Sequence, residues 1–113
     1  MTISQLRPAQ LDDWLSAHAA RDPLVLDVRE PLELQAASVR PQGFKLVHIP
    51  MSQLASRLHE LDPARPFACL CHHGMRSQQV AMYLERNGFD HVVNLAGGID
   101  AWSLERDPSV PRY

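Results

Sequence analysis

Cys71, Gly74, Arg76 and Ser77 stand close together in the run Cys71-His72-His73-Gly74-Met75-Arg76-Ser77, directly after Phe67-Ala68-Cys69-Leu70. Four small or apolar residues followed by this polar run predict a buried strand, a six-residue loop from Cys71 to Arg76, and a helix starting near Ser77. Such a junction suits anion chemistry. The first N–H groups of a helix have no intrahelical partner, and the helix dipole adds partial positive charge at the same end. Arg76 brings a planar cation. Gly74 lets the backbone double back so that successive N–H groups converge. A cysteine at the base of this loop is expected to be a thiolate near neutral pH. Cys71 is therefore the candidate nucleophile, with His72, His73, Gly74, Met75, Arg76 and Ser77 forming the loop around its substrate.

A thiolate ringed by N–H donors can attack a sulfane sulfur and hold it as a persulfide, or attack phosphorus and hold a phosphocysteine. The spacing is C-x4-R. Cysteine phosphatases use C-x5-R to encircle a tetrahedral phosphate, and the shorter loop is better matched to a single sulfur atom. Sulfur transfer is the favoured reading. A persulfide carrier, a small phosphatase and a non-catalytic interaction module are the alternatives.

The neighbouring residues admit plainer roles. Cys69 reads as a small core residue, since a disulfide to Cys71 would join near neighbours on one strand and strain the usual geometry. His72 and His73 can supply switchable charge, with only one expected to face the pocket. A metal held by Cys69, Cys71, His72 and His73 is disfavoured by cramped spacing, so neither metal nor cofactor is expected. Asp27 and Arg29 fall on one side of a strand end and are expected to pair and brace the loops, in support of the site. His48 reads as a hydrogen-bonded structural histidine, and Trp102 as the packing anchor of the last helix.

These residues need a scaffold. Apolar runs 24–26, 45–49, 67–70 and 91–94, with an edge candidate at 3–6, alternate with helical spacings after Pro8, Pro31 and Pro50 and over 77–87. On the last of these, Val80, Tyr83, Leu84 and Asn87 share a face, and Gly88 ends the helix. Met51, Leu54, Leu58 and Leu61 form a core stripe, and residues 107–113 make an extended tail. Alternation of this kind predicts an α/β domain with a mainly parallel five-stranded sheet and helices on both faces, ligands sitting beyond the carboxyl ends of the strands. At 113 residues the chain has the length of one domain, 1–113. With 45% hydrophobic and 21% charged residues it is not a disordered tail, and its formal charge of −2 leaves no basic footprint for nucleic acid. No apolar run is long enough for a membrane span or signal-peptide core, so a cytoplasmic location is expected. Two cysteines one residue apart do not make a secreted disulfide framework.

Four segments together resemble the rhodanese-like sulfurtransferases. Asp27-Val28-Arg29-Glu30 resembles that family's D-V-R strand end. Val47-His48-Ile49-Pro50 resembles its G-H-I-P-G segment, with Val47 and Met51 in place of the glycines. Cys71 to Ser77 matches C-x-x-G-x-R-S, and Leu95-Ala96-Gly97-Gly98-Ile99-Asp100-Ala101-Trp102 matches L-x-G-G-x-x-x-W. The resemblance covers nearly the whole chain and, by size, points to the single-domain subgroup. It implies a ping-pong reaction. Cys71 takes sulfur from a small anionic donor such as thiosulfate, or from a protein persulfide. Cyanide or a thiol then removes it. Loop N–H groups would stabilise the persulfide, and Arg76 would orient the donor or hold the loop closed.

Overall fold

A computed structural model describes residues 3–113; Met1 and Thr2 of the expected domain lie outside the described residues. Five strands, β1 (Ser4–Leu6), β2 (Leu24–Asp27), β3 (Lys45–His48), β4 (Phe67–Leu70) and β5 (Val92–Leu95), form one sheet in the order β1-β5-β4-β2-β3. Every pairing is parallel. The helices are α1 (Leu11–Ala17), α2 (Pro31–Ala36), α3 (Leu54–Arg57), α4 (Met75–Arg86) and α5 (Gly98–Glu105), supplemented by short 3-10 turns. The architecture is the α/β sheet that the alternation predicts. No helix among the described residues is long and apolar enough to cross a membrane.

Strand periodicity divides the core between the two faces. Side chains alternate across a strand, so Leu24, Leu26, Phe67, Cys69 and Cys71 pack with Val80 and Leu84 of α4, while Val25, Ala68 and Leu70 pack with Leu95, Ile99 and Trp102 on the other side. Both faces of β2 and β4 are buried, which explains their apolar runs, Leu24 to Leu26 and Phe67 to Leu70. Polar residues mark the edges: Ser4 and Gln5 of β1 and Lys45 of β3 are exposed.

Local details depart from the expected pattern. The stripe from Met51 to Leu61 folds as 3-10 turn, a single α turn and another 3-10 turn instead of one helix. On α4 the buried residues are Ser77, Val80, Ala81 and Leu84, the face packed on β4 and β5, while Tyr83 and Asn87 are exposed. The 107–113 segment starts with a turn, in which the Val110 N–H donates to Asp107 O at 3.1 Å, and it is anchored by buried Val110.

Candidate active site

β4 delivers the chain to Leu70, whose carbonyl accepts the Val28 N–H at 2.9 Å. Cys71 follows, only 1% exposed, on the same core face as Cys69. Gly74 takes φ +103°, a left-handed conformation open to glycine at little steric cost. Its N–H donates to Cys71 Sγ at 3.0 Å. This turn closes earlier than the sequence suggests. Gly74 is the helix N-cap, and α4 begins at Met75, not near Ser77. Met75, Arg76 and Ser77 are therefore first-turn residues, and the loop proper is Cys71-His72-His73-Gly74. The first helical bond runs from Gln78 N–H to Gly74 O at 3.2 Å. The N–H groups of Met75, Arg76 and Ser77 precede it and lack intrahelical acceptors. They gather at the positive end of a 12-residue helix.

α5 holds the other side of the loop. Ile99 N–H donates to Cys71 O at 2.8 Å, and Asp100 N–H donates to His72 O at 3.2 Å. The approach requires Gly98, since a Cβ there would stand 2.5 Å from Cys71 O and 2.4 Å from His72 O. This is the physical content of the paired glycines in the Gly97-Gly98 motif.

Behind Sγ lies a polar network. Ser77 Oγ is 3.2 Å from Cys71 Sγ and 2.5 Å from Asn94 Oδ1. Asn94 Nδ2 donates to Gly74 O at 3.1 Å and to Gln5 Oε1 at 2.9 Å, which fixes the amide so that Oδ1 faces Ser77. Cys69 is fully buried, and burial pushes its thiol well above the ordinary cysteine range.

In front lies a chain of charges. Asp27 and Arg29 form a buried ion pair, 2.8 Å from Nη2 to Oδ2. Arg29 Nη1 also donates to Ala37 O at 2.8 Å and Tyr113 Oη at 3.1 Å. The Tyr113 hydroxyl donates to Glu33 Oε2 at 2.7 Å. Glu33 accepts both Arg76 Nη1 and Nη2, at 2.6 and 2.8 Å. It also caps α2 by accepting the Glu30 N–H at 3.1 Å. The Arg76 fork holds the Glu33 carboxyl down at about 2, with further help from Tyr113. Arg76 thus clamps the start of α4 to α2. His48 Nε2 meets Arg29 O at 2.6 Å, consistent with a structural role.

Cys71, His72, His73, Met75, Arg76 and Gln79 line a cleft of about 380 Å³. Both histidines line it, not one. The His72 ring is stacked between His73, at 3.9 Å, and Tyr113, at 3.8 Å, and its Nε2 meets Tyr113 O at 2.7 Å. Among the described residues no three His, Cys, Asp or Glu converge to hold a metal.

Glu33, Asn94 and Tyr113 escaped the sequence reading. Glu33 left a trace, because Glu30-Pro31-Leu32-Glu33 has the pattern of a helix start at the carboxyl edge of the sheet. Tyr113 left none.

The family model for the rhodanese-like domain matches residues 8–105. The putative sulfurtransferase YtwF of Bacillus subtilis is 34% identical over 108 residues, covering 96% of this chain and 98% of that protein. The rhodanese-like/PpiC domain-containing protein 12, chloroplastic, of Arabidopsis thaliana is 42% identical over 93 residues, but those cover 79% of this chain and only 30% of that longer protein. A rhodanese-related protein from Thermoplasma volcanium superposes with a TM-score of 0.77 at 30% identity, covering 97% of this chain and 99% of that one.

Proposed function

This chain belongs to the rhodanese-like family, and from that premise we propose that it is a sulfurtransferase whose Cys71 carries sulfane sulfur as a persulfide. The observation that carries this reading is the Gly74 N–H directed at Cys71 Sγ at 3.0 Å, at the mouth of α4. Cys71 Sγ attacks the outer sulfur of a donor such as thiosulfate or a persulfide. The donor's S–S bond breaks, and the leaving group departs with the electron pair. The outer sulfur of the new Cys71 persulfide enters the space before the Met75, Arg76 and Ser77 N–H groups, which stabilise its charge. An acceptor thiol, or cyanide in an assay, then attacks that sulfur and releases Cys71.

His72, His73 and Met75 shape the entry, while Arg76, braced by Glu33, holds the loop. Asp27 and Arg29 support it through Tyr113. Residues 1–113 act as one rhodanese-like domain without a cofactor, in the cytoplasm. The two free cysteines support a reducing location.

Loading by a protein persulfide donor is the second reading. One observation favours it: through Gln79 the cleft adjoins an apolar groove lined by Met51, Leu54 and Tyr83.

Intact-protein mass spectrometry after incubation with thiosulfate or a small persulfide tests the site. The expected result is a gain of one sulfur atom on the wild type, absent from Cys71→Ser and reversed by cyanide. An undiminished adduct on Cys71→Ser overturns the assignment.

A further inference from the structure

A site for an anionic donor ordinarily offers an uncommitted cation. The arginines at this cleft are otherwise engaged. Arg76 gives one hydrogen of Nη1 and one of Nη2 to the Glu33 carboxylate, at 2.6 and 2.8 Å, which sets a full negative charge against the guanidinium. Glu33 is itself immobilised by the Tyr113 hydroxyl at 2.7 Å and by the α2 cap. Arg29 behind it is paired with Asp27, and Arg112 nearby is paired with Asp100 at 2.8 Å. The His72 Nε2 is occupied by Tyr113 O. What faces an incoming sulfur is a set of backbone N–H groups with the partial charge of one helix end, about half an elementary charge, and beside them the exposed His73 ring, with no arginine of the cleft left unpaired. That suits a single developing sulfur anion and compensates a dianion poorly, since removing a doubly charged group from water without a partner is costly.

We propose that Glu33, locked by Tyr113, withholds the Arg76 charge from the cleft and so makes this site selective for alkyl persulfide donors over the thiosulfate dianion. The inference rests on the sulfurtransferase reading with Cys71 as acceptor. With an alkyl hydropersulfide, Cys71–S⁻ attacks the outer sulfur of R–S–SH; the new S–S bond gives Cys71–S–SH, and R–S⁻ leaves with the electron pair of the broken bond. With thiosulfate, the same attack expels sulfite with its two charges, so dianionic charge stays in the cleft throughout the step. Glu33 and Tyr113 are positioning residues, acting through Arg76.

The test compares kcat and KM for thiosulfate and for the hydropersulfide of N-acetylcysteamine, whose organic half carries no charge. Wild type, Glu33→Gln and Tyr113→Phe are assayed, with folding checked by thermal melt and Cys71→Ser as the chemical control. Gln keeps an oxygen to cap α2 but leaves the Arg76 charge uncompensated. The expected wild-type preference for the persulfide in kcat/KM is about 100-fold, and Glu33→Gln should shift the ratio of the two kcat/KM values about tenfold toward thiosulfate, through the KM for thiosulfate. Tyr113→Phe should move in the same direction by about threefold, and it decides the matter if Glu33→Gln does not fold. Equal use of the two donors by the wild type, or an unchanged donor ratio in the folded variants, overturns the proposal while leaving Cys71 chemistry intact. Sulfur transfer that survives in Cys71→Ser overturns the underlying function instead.

Discussion

The hydroxyl of Ser77 donates to Asn94 Oδ1 at 2.5 Å while standing 3.2 Å from Cys71 Sγ. A hydroxyl has one hydrogen. Asn94 cannot turn its amide to release it, because Nδ2 is held by Gly74 O and Gln5 Oε1. The Ser77 oxygen is therefore positioned to accept from the Cys71 thiol in one state and to turn its hydrogen toward sulfur in the other.

Ser77→Ala should lower the rate of Cys71 persulfide formation by about 100-fold, the lower end for losing one donor to developing charge. It also orphans a buried Asn94 oxygen, for a loss of about 1–3 kcal/mol in unfolding free energy. Stopped-flow sulfur transfer and urea titration measure the two effects, and an unchanged rate would remove Ser77 from the chemistry.

The two cysteines should separate cleanly under alkylation. Both thiols are buried, but Cys71 lines the cleft while Cys69 lies in the core with its thiol pushed up by burial, so the native protein should be carbamidomethylated at Cys71 alone. Cys69→Ala should retain full persulfide formation at a stability loss of about 1 kcal/mol from the small cavity. Peptide mapping after brief iodoacetamide treatment reads the labelling. Modification of Cys69 at a comparable rate would contradict this arrangement.

Gly98→Ala should damage both fold and activity. The added carbon meets the Cys71 and His72 carbonyl oxygens at 2.5 and 2.4 Å, both rigid backbone atoms, and φ +60° is unfavourable for alanine. The expected loss is about 2–5 kcal/mol, seen as a lowered thermal midpoint, with loss of the sulfur adduct. A variant with the wild-type midpoint would show that α5 does not grip the loop this closely.

Acid should weaken the clamp between α2 and α4. The Glu33 carboxyl falls from 4.5 to about 2 in the folded protein, chiefly through Arg76. A carboxylate with a depressed folded value binds fewer protons folded than unfolded between these limits. Its contribution is present in full above pH 4.5 and is lost as pH falls toward about 2. Unfolding titrations at pH 6 and pH 3 should show a larger acid-induced loss for the wild type than for Glu33→Gln. Equal losses would indicate that the pair does not contribute.

The elements that position the site follow from local rules, and those rules act over a few residues. Short apolar runs such as Leu24 to Leu26 and Phe67 to Leu70 point to strands buried on both faces, and their alternation with helical spacings favours a parallel sheet. Gly74 and Arg76 after a strand end marked the nucleophile's loop for the same reason: the backbone turn, helix start and Cys71 are contiguous in the chain. The helix starts two residues before Ser77, because the left-handed turn at Gly74 caps α4 immediately and draws Met75 and Arg76 into its first turn.

What surrounds that loop is set by contacts between distant segments. Arg76 finds Glu33 across 43 positions, Glu33 finds Tyr113 across 80, and Asn94 finds Gln5 across 89. A charge or hydroxyl carries no record in the sequence of which partner will satisfy it. Local order alone determined where a reactive thiol and its N–H cradle would lie. Packing of α2, α5 and the 107–113 segment against the sheet decided whether the arginine beside that thiol stayed free or was neutralised.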